Sequence, residues 1–287
     1  MSKKVTSVLL ALCMLNSCAA VGNVAVSAAS TADDAAVAAT DYGLPDEITD
    51  GNILHCFNWK YSDIQAALPS IAAAGFTSVQ TSPAQQPDST GAWYWLYQPL
   101  NFSVASGPLG NSSQLQQLCT AAHQYGMNVI VDVVSNHMSS DHSKIQSDLR
   151  ASQYWHSEMA ITDYTNRNQV INGKVGMPDL NTSNSYVQQV VHNYVQSLKS
   201  LGVDGIRWDA AKHIGLPSEG DTFWTNVLDS SMFNYGEIMD KPGGDNNTII
   251  KAYSNLMNVT DHGYSGEIMG HVRDNGVYTP SGHWATE

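Results

Sequence analysis

The chain has 287 residues, of which 43% are hydrophobic and 14% charged, and its formal net charge is −13. These fractions are typical of a globular protein and exclude the disordered and fibrous classes. Because the chain has 13 basic residues against 26 acidic ones, its surface would repel phosphate backbones and anionic lipids, which excludes nucleic acid and membranes as main partners.

The N-terminus has the pattern of a secretory signal. Two lysines precede an apolar stretch, and small residues follow as far as Ala28. We therefore assign residues 1–28 to a signal peptide and residues 29–50 to a flexible spacer. The mature protein is expected to be secreted to the extracellular space and to have no membrane association once the signal is removed. The alternative is a lipoprotein signal with Cys18 acylated.

Two cysteines remain after the signal, Cys56 in a strand-like segment and Cys119 in a helix-like one. No close spacing of cysteine and histidine suggests zinc. Two buried thiols are favoured over a disulfide, and a disulfide stays open as the alternative.

Six apolar, strand-like segments alternate with helix-like segments along the chain. The strands are predicted near residues 52–57, 76–80, 128–134, 203–208, 232–237 and 256–260. The apolar residues between the strands recur with helical spacing, as in the stripe Val187, Val191, Tyr194 and Leu198. Strands that are apolar on both faces and alternate with helices predict an α/β fold, in which helices cover a parallel sheet.

Residues 138–182 interrupt this alternation, because they are polar and have no clear period. A structureless loop of that length is uncommon inside a compact domain, so we interpret the segment as a small inserted domain B. Residues 51–137 and 183–287 are then the first and continued parts of one larger domain.

Three acidic residues fall where predicted strands end. Asp132 lies in the third strand, Asp209 ends the fourth and Glu237 ends the fifth. Functional side chains of parallel sheets gather at the carboxyl ends of the strands, so three acids on one rim indicate carboxylate chemistry instead of ordinary ion pairs. The aromatic run from Trp93 to Tyr97 suits stacking against sugar rings, with a core cluster as the alternative.

At these residues the chain resembles the α-amylases, a large family of glycoside hydrolases built on a (β/α)8 barrel. Five segments are similar to the family's signatures and occur in its order: residues 97–99 (YQP), 132–137 (DVVSNH), 177–180 (MPDL), 205–213 (GIRWDAAKH) and 236–238 (GEI). The resemblance implies a TIM (β/α)8-type barrel with the small inserted domain after strand 3.

Only about six of the eight strands of such a barrel can be found in the sequence. The family's fourth signature is a His-Asp pair on strand seven that carries a third catalytic carboxylate, and it does not occur in the sequence. Asp261 and His262 are such a pair in the reverse order and do not match it. We therefore expect an incomplete barrel, truncated before strand 7, that is the N-terminal fragment of a longer enzyme and is inactive by itself.

The resemblance also implies roles for individual residues. Asp209 would be the nucleophile, and Glu237 would be the general acid and then the general base. Arg207 would keep Asp209 ionised through its charge. The residues implied to bind substrate are Trp93, Tyr97, Gln98, Asp132, His137, Arg207, Lys212 and His213.

In this family Ca²⁺ joins the barrel to the inserted domain. The resemblance implies Asn136 and Asp179 as side-chain ligands and His213 as a ligand through its backbone carbonyl. Oxygen ligands from separate segments suit this hard cation. The alternative is that Asn136 is an ordinary turn residue.

The tetrapeptide Gly-Glu-Ile-Met occurs twice, around Glu237 and around Glu267. Glu237 is favoured as the catalytic acid, because one helix and one strand fit between it and Asp209, as the family requires. Glu267 follows a polar stretch and is expected on the surface.

The parent enzyme is expected to act as a monomer and to hydrolyse internal α-1,4 bonds of starch-like and glycogen-like α-glucans with retention of configuration. One alternative is a related α-glucosidase or transglycosidase on the same barrel. Another is a non-catalytic starch-binding protein, against which the presence of both Asp209 and Glu237 speaks.

Overall fold

The computed structural model describes residues 42–239 and 246–260. The predicted signal peptide with Cys18, the second Gly-Glu-Ile-Met with Glu267, and the pair Asp261 and His262 lie outside the described residues. No helix in the described part of the chain has the length and apolar character needed to span a bilayer.

Six parallel strands form one curved sheet. In spatial order they are β1 (Ile53–Cys56), β2 (Ser78–Thr81), β5 (Asn128–Val134), β6 (Gly205–Asp209), β7 (Phe233–Gly236) and β8 (Asn258–Val259). The sheet curls into a half-barrel that matches an incomplete TIM barrel, which confirms the predicted fold class.

The central strands are buried on both faces, as their sequences predict. Every residue of β5 after Asn128 is buried, because helices cover one face of the sheet and the barrel interior covers the other. The register places Asp132 beside Arg207 and Arg207 beside Tyr235. Polar side chains from three neighbouring strands therefore meet inside the barrel.

Five helices follow the strands along the outside of the sheet: α1 (Tyr61–Ala73), α2 (Ser112–Gln124), α4 (Ser185–Ser200), α5 (Phe223–Val227) and α6 (Asn246–Ser254). Their apolar stripes are buried against the sheet, as Leu68 of α1 and Val191 of α4 illustrate. α2 begins at a capping box, in which the Asn111 side chain accepts a hydrogen bond from the Gln114 amide and the Gln114 side chain accepts one from the Asn111 amide.

Two parts of the chain depart from the strand–helix alternation. Between β2 and α2 lies a two-stranded antiparallel ribbon of β3 (Gln85–Pro87) and β4 (Pro99–Val104), which the sequence did not predict because its strands lack an alternating pattern. Residues 138–182 contain two 3-10 turns and the short helix α3 (Arg167–Asn172), and isolated bridges connect His137 to Asp179 and Trp155 to Leu180.

The end of the predicted spacer is ordered in the structure. Ile48–Asp50 form a 3-10 turn, and Tyr42 and Leu44 pack against the hydrophobic core. The spacer prediction over residues 29–50 is therefore wrong for its described part, since a polar composition does not exclude two apolar anchors.

Cys56 and Cys119 are both buried and free. Burial raises the pKa of each thiol to about 12, so neither ionises at neutral pH. They act as small apolar residues, which agrees with the interpretation favoured from the sequence.

Candidate active site

One arginine stands at the centre of a charged cluster inside the barrel rim. Arg207 Nη1 donates to Asp132 Oδ1 and Oδ2 at 2.9 and 3.1 Å and to Asp209 Oδ1 at 2.8 Å, and Nη2 lies 2.7 Å from Glu237 Oε1. The Arg207 side chain is 12% exposed and that of Asp132 is fully buried. A single cation thus binds three carboxylates from three neighbouring strands.

The β-sheet geometry explains this arrangement. Arg207 and Asp209 are two positions apart on β6, so their side chains leave the same face of the strand. Glu237 directly follows β7, and its amide donates to the Trp208 carbonyl of the neighbouring strand. Each carboxylate therefore reaches the same guanidinium from its own strand.

A strained residue orients the second carboxylate. Ala210 has a φ of 50°, in the left-handed region that a residue with a Cβ rarely adopts. This conformation lets its amide donate to Glu237 Oε2 at 3.0 Å, while Glu237 Oε1 is held by Arg207. Backbone strain of this kind is typical of functional sites, where the surrounding contacts maintain it.

The cluster carries more negative than positive charge. Burial raises the pKa of Asp132 and raises that of Asp209 to about 8, and the Arg207 charge opposes this rise without cancelling it. Since three carboxylates face one guanidinium, the cluster as a whole retains a proton near neutral pH. A site that needs one ionised and one protonated carboxyl group can therefore form here.

Tyr97 and His137 line the same cleft. Tyr97 Oη donates to Asp132 Oδ2 at 2.8 Å, and His137 Nε2 lies 3.1 Å from the Tyr97 carbonyl oxygen. Burial lowers the pKa of His137 to about 4, so its ring is neutral at pH 7. Because a carbonyl can only accept, Nε2 carries the hydrogen and Nδ1 is an acceptor.

The aromatic run forms a 3-10 turn over Trp93–Tyr97, in which some side chains are exposed and one is buried. Trp93 is 56% exposed, whereas Leu96 is buried and anchors the turn. Phe57, directly after β1, lies parallel to Tyr97 with ring centroids 6.5 Å apart and an interplanar angle of 21°. Sequence analysis missed Phe57, although its position at a strand end was a usable signal.

Gln98, Lys212 and His213, the other residues implied to bind substrate, contact the chain around them. Gln98 closes the aromatic turn with its amide donating to Trp95, and its carbonyl accepts from the Asp88 amide. Lys212 follows β6, and its Nζ donates to the Met239 carbonyl at 3.0 Å. The His213 imidazole is turned away, because its Nδ1 lies 3.0 Å from the Val170 carbonyl of α3.

The three residues implied to bind calcium also converge. Asn136 Nδ2 lies 2.7 Å from Asp179 Oδ1 and 3.3 Å from the His213 carbonyl, and Asn136 Oδ1 faces His137 Nδ1 at 3.2 Å. That last contact joins two acceptors. If the oxygen and nitrogen of the Asn136 amide are exchanged, Nδ2 donates to His137 Nδ1, and Oδ1 faces the Asp179 carboxylate and the His213 carbonyl.

With the amide exchanged, Asn136, Asp179 and the His213 carbonyl would direct three oxygens at one point, so the residues present fit a calcium ion. Asp179 Oδ2 contacts His156 Nδ1 at 2.6 Å, which fixes the carboxylate from behind. Burial raises the pKa of Asp179 to about 6. Among the described residues, no cluster of three or more His, Cys, Asp or Glu side chains is suited to a metal, so this site would depend on amide and carbonyl oxygens.

A half-barrel with carboxylates gathered at the carboxyl ends of its strands is the arrangement of a glycoside hydrolase. Comparison with known proteins agrees. The family model "Alpha amylase, catalytic domain" matches residues 61–175. A curated α-amylase of Clostridium acetobutylicum is 35% identical over 83% of this chain and 34% of its own length, and one of Butyrivibrio fibrisolvens is 31% identical over 68% and 24%.

Solved structures show the same relationship. α-Amylase I of Eisenia fetida has a TM-score of 0.69 at 25% identity, covering 78% of this chain and 52% of that one. The chain belongs to the α-amylase family of glycoside hydrolases. It spans about a third or less of the two curated relatives named above.

Proposed function

We propose that this chain provides the reactive carboxylates of an enzyme that hydrolyses internal α-1,4-glucosidic bonds of starch-like and glycogen-like polysaccharides with retention. The observation that supports the proposal is the shared guanidinium, whose Nη1 binds Asp209 and whose Nη2 binds Glu237. Retaining glycosidases need two carboxyl groups about 5–5.5 Å apart, and two groups on one guanidinium are close enough for this chemistry.

In the proposed reaction the proton that the cluster retains lies on Glu237 once the sugar is bound, so that an ionised oxygen of Asp209 attacks the anomeric carbon while Glu237 donates this proton to the departing glycosidic oxygen. The bond between carbon and that oxygen breaks, and a covalent glycosyl–Asp209 ester forms. Glu237, now ionised, takes a proton from water, which attacks the same carbon and releases Asp209. Arg207 stabilises the carboxylate that is ionised at each stage, and the Ala210 amide keeps Glu237 in place.

The lining of the cleft suits a neutral glucan. Tyr97 would stack beneath the sugar that is attacked, and exposed Trp93 and Phe57 extend the same aromatic surface. The α-amylase I of Eisenia fetida has been solved in complex with maltohexaose, at 25% identity to this chain. That likeness supports an α-glucan as the substrate class here.

Calcium is part of the proposal. Asn136, Asp179 and the His213 carbonyl would hold the ion, and the ion would neutralise the buried Asp179 and tie residues 138–182 to the loop after β6. Its contribution is structural, and the proton and bond changes stay with Asp209 and Glu237.

A transglycosidase is the second candidate. A γ-cyclodextrin glucanotransferase from alkalophilic Bacillus clarkii shares this fold with a TM-score of 0.68, at 17% identity. The same two carboxylates would serve either reaction, because only the acceptor of the second step differs. Chromatography of the products from maltotriose separates the two candidates: a hydrolase gives glucose and maltose, and a transglycosidase gives longer chains.

Release of reducing ends from soluble starch tests the proposal. In a protein that contains every barrel strand, the wild-type form should release them, and the Asp209→Asn and Glu237→Gln variants should not. Asp141→Asn is the matched control, since Asp141 is an acid of the outer surface beside Lys144. Starch binding without hydrolysis by a protein that contains every barrel strand would contradict the proposal and favour a binding protein.

We further propose that the protein is secreted and acts as a monomer. The pattern of residues 1–28 supports export. Detection in the culture medium of a product that lacks these residues, and a monomer mass in solution, are the expected results.

A further inference from the structure

A second arginine joins residues 138–182 to the loop after β6. Arg167 begins α3, and its Nε and Nη2 donate to Glu219 Oε1 and Oε2 at 2.7 and 2.9 Å. The same guanidinium donates through Nη1 to the Lys212 carbonyl and through Nη2 to the Ile214 carbonyl, the latter at 3.3 Å. The side chain is 22% exposed, so these bonds are largely shielded from water.

Tyr253 of α6 reinforces the arrangement. Its hydroxyl accepts from Arg167 Nη2 at 2.6 Å and lies within hydrogen-bond distance of the Ile214 and Lys212 carbonyls. The Arg167 guanidinium carbon also stands 5.6 Å from the centre of the Tyr253 ring. The two carbonyls are thus fixed by two side chains from different helices.

The bonded carbonyls belong to the residues on either side of His213. Lys212 and Ile214 direct their carbonyls to Arg167, whereas the His213 carbonyl is directed to Asn136. α3 makes a second contact with this loop, since the Val170 carbonyl holds the His213 ring. The peptide planes that orient the His213 carbonyl are therefore set by α3.

We propose that Arg167 is a positioning residue of the active site. It fixes the direction of the His213 carbonyl and the backbone from which the Lys212 side chain extends. In doing so it sets the affinity for calcium and the binding of sugar on the leaving-group side. The inference rests on the proposed function, because it takes the role of the His213 carbonyl from there, and it takes the sugar contact of Lys212 from the family resemblance.

Arginine is needed for geometric reasons. Four acceptors, two carboxylate oxygens and two carbonyls, are bonded to one guanidinium, and a lysine ammonium with three hydrogens cannot bind all of them together. If Arg167 had only the structural role of an ion pair with Glu219, replacing it would lower the melting temperature and leave the calcium affinity and KM unchanged.

The test compares Arg167→Met and Arg167→Lys with the control Arg150→Met in the full chain. Arg150 also lies within residues 138–182, but it is exposed and its Nε donates to the local Ile145 carbonyl. Calcium affinity is measured by titration calorimetry, and KM and kcat are measured on maltopentaose. Substitutions behind a metal ligand weaken metal binding by roughly 10–100-fold, so Arg167→Met should weaken calcium binding at least tenfold.

The same variant should raise KM several-fold and change kcat little, because Asp209 and Glu237 keep their contacts. The calcium affinity and KM of Arg167→Lys should fall between those of Arg167→Met and wild type, and both quantities in the Arg150→Met control should match wild type. A folded Arg167→Met protein with unchanged calcium affinity and KM would overturn the proposal. If Arg167→Met does not fold, Tyr253→Phe replaces it in the test. A weaker calcium affinity and a higher KM are again expected, with smaller changes.

A readout that needs neither calcium nor activity separates this inference from the proposed function. Amide hydrogen exchange at His213 and Ile214, measured with chelator present, should be faster in Arg167→Lys than in the Arg150 control. Equal exchange in the two variants would overturn the positioning role. A wild-type protein that binds no calcium and cleaves no glucan would overturn the proposed function, and faster exchange would still establish that Arg167 fixes the loop.

Discussion

Arg207 lies in β6 and Arg167 contacts the loop that follows it, and the partners of the two arginines differ in charge. Arg207 binds three carboxylates inside the barrel, whereas Arg167 binds one carboxylate, two backbone carbonyls and a tyrosine hydroxyl. The first cluster has an excess of negative charge, and the second is electrically balanced.

The difference separates a reactive site from a structural one. Excess negative charge raises carboxyl pKa values and destabilises the folded protein, which is tolerated where a proton must move. A charge-balanced cluster of hydrogen bonds holds chain segments together without titrating near neutral pH. The following predictions test this contrast.

The largest effect is expected from Asp209→Asn. An amide cannot form the glycosyl ester, so kcat on starch should fall by roughly three orders of magnitude or more. Reducing-end release is the measurement. A loss of less than tenfold would show that Asp209 is not the nucleophile.

Arg207→Met should be the most destabilising change in the described barrel. It leaves three buried carboxylates without their cation, and breaking a buried ion pair costs roughly 3–5 kcal/mol of the free energy of unfolding. Urea unfolding at pH 8 measures the loss. The loss should shrink at pH 5, where protonation neutralises part of the cluster, and a loss independent of pH would contradict the charge imbalance.

Chelation of calcium by EDTA should lower the melting temperature by several degrees. A ligand present at about 1,000 times its Kd stabilises the folded state by about 4 kcal/mol, and the buried Asp179 would lose its cation. Differential scanning calorimetry with and without EDTA makes the comparison. Asp179→Asn should abolish most of the difference, and an unchanged melting temperature in wild type would rule out the calcium site.

A smaller, pH-dependent gain in stability is expected from Asp209→Asn. Burial raises the pKa of Asp209 from its ordinary 3.8 to about 8, so its contribution to stability is full below about pH 4 and is lost as the pH rises through 8. The variant should therefore unfold at higher urea concentration than wild type at pH 8, by roughly 1–3 kcal/mol in unfolding free energy, and show little difference at pH 4. Equal stability at pH 8 would contradict the raised pKa.

The barrel and its rim were largely predictable from the sequence. Strands such as β5 are apolar throughout, and acids at strand ends such as Asp209 and Glu237 must face one rim in a parallel sheet. The order of the family's motifs then supplied the implied roles, which no spacing argument alone could have assigned.

The contacts made by residues 138–182 were not predictable. Arg167 sits in a polar stretch without periodicity, and its partners Glu219 and Tyr253 are far away in the sequence. The ordered end of the predicted spacer and the ribbon of β3 and β4 were missed for the same reason, because their stability comes from tertiary contacts.

The central claim is that Asp209 and Glu237 act together on one sugar, and the stereochemistry of the first product tests it most directly. Proton NMR of a maltooligosaccharide digest, recorded within minutes of adding a protein that contains every barrel strand, distinguishes the two anomers before they interconvert. Retention through a glycosyl–Asp209 ester predicts that the α-anomer appears first. Initial release of the β-anomer would contradict the account, because it would require direct attack by water between two more widely separated carboxylates.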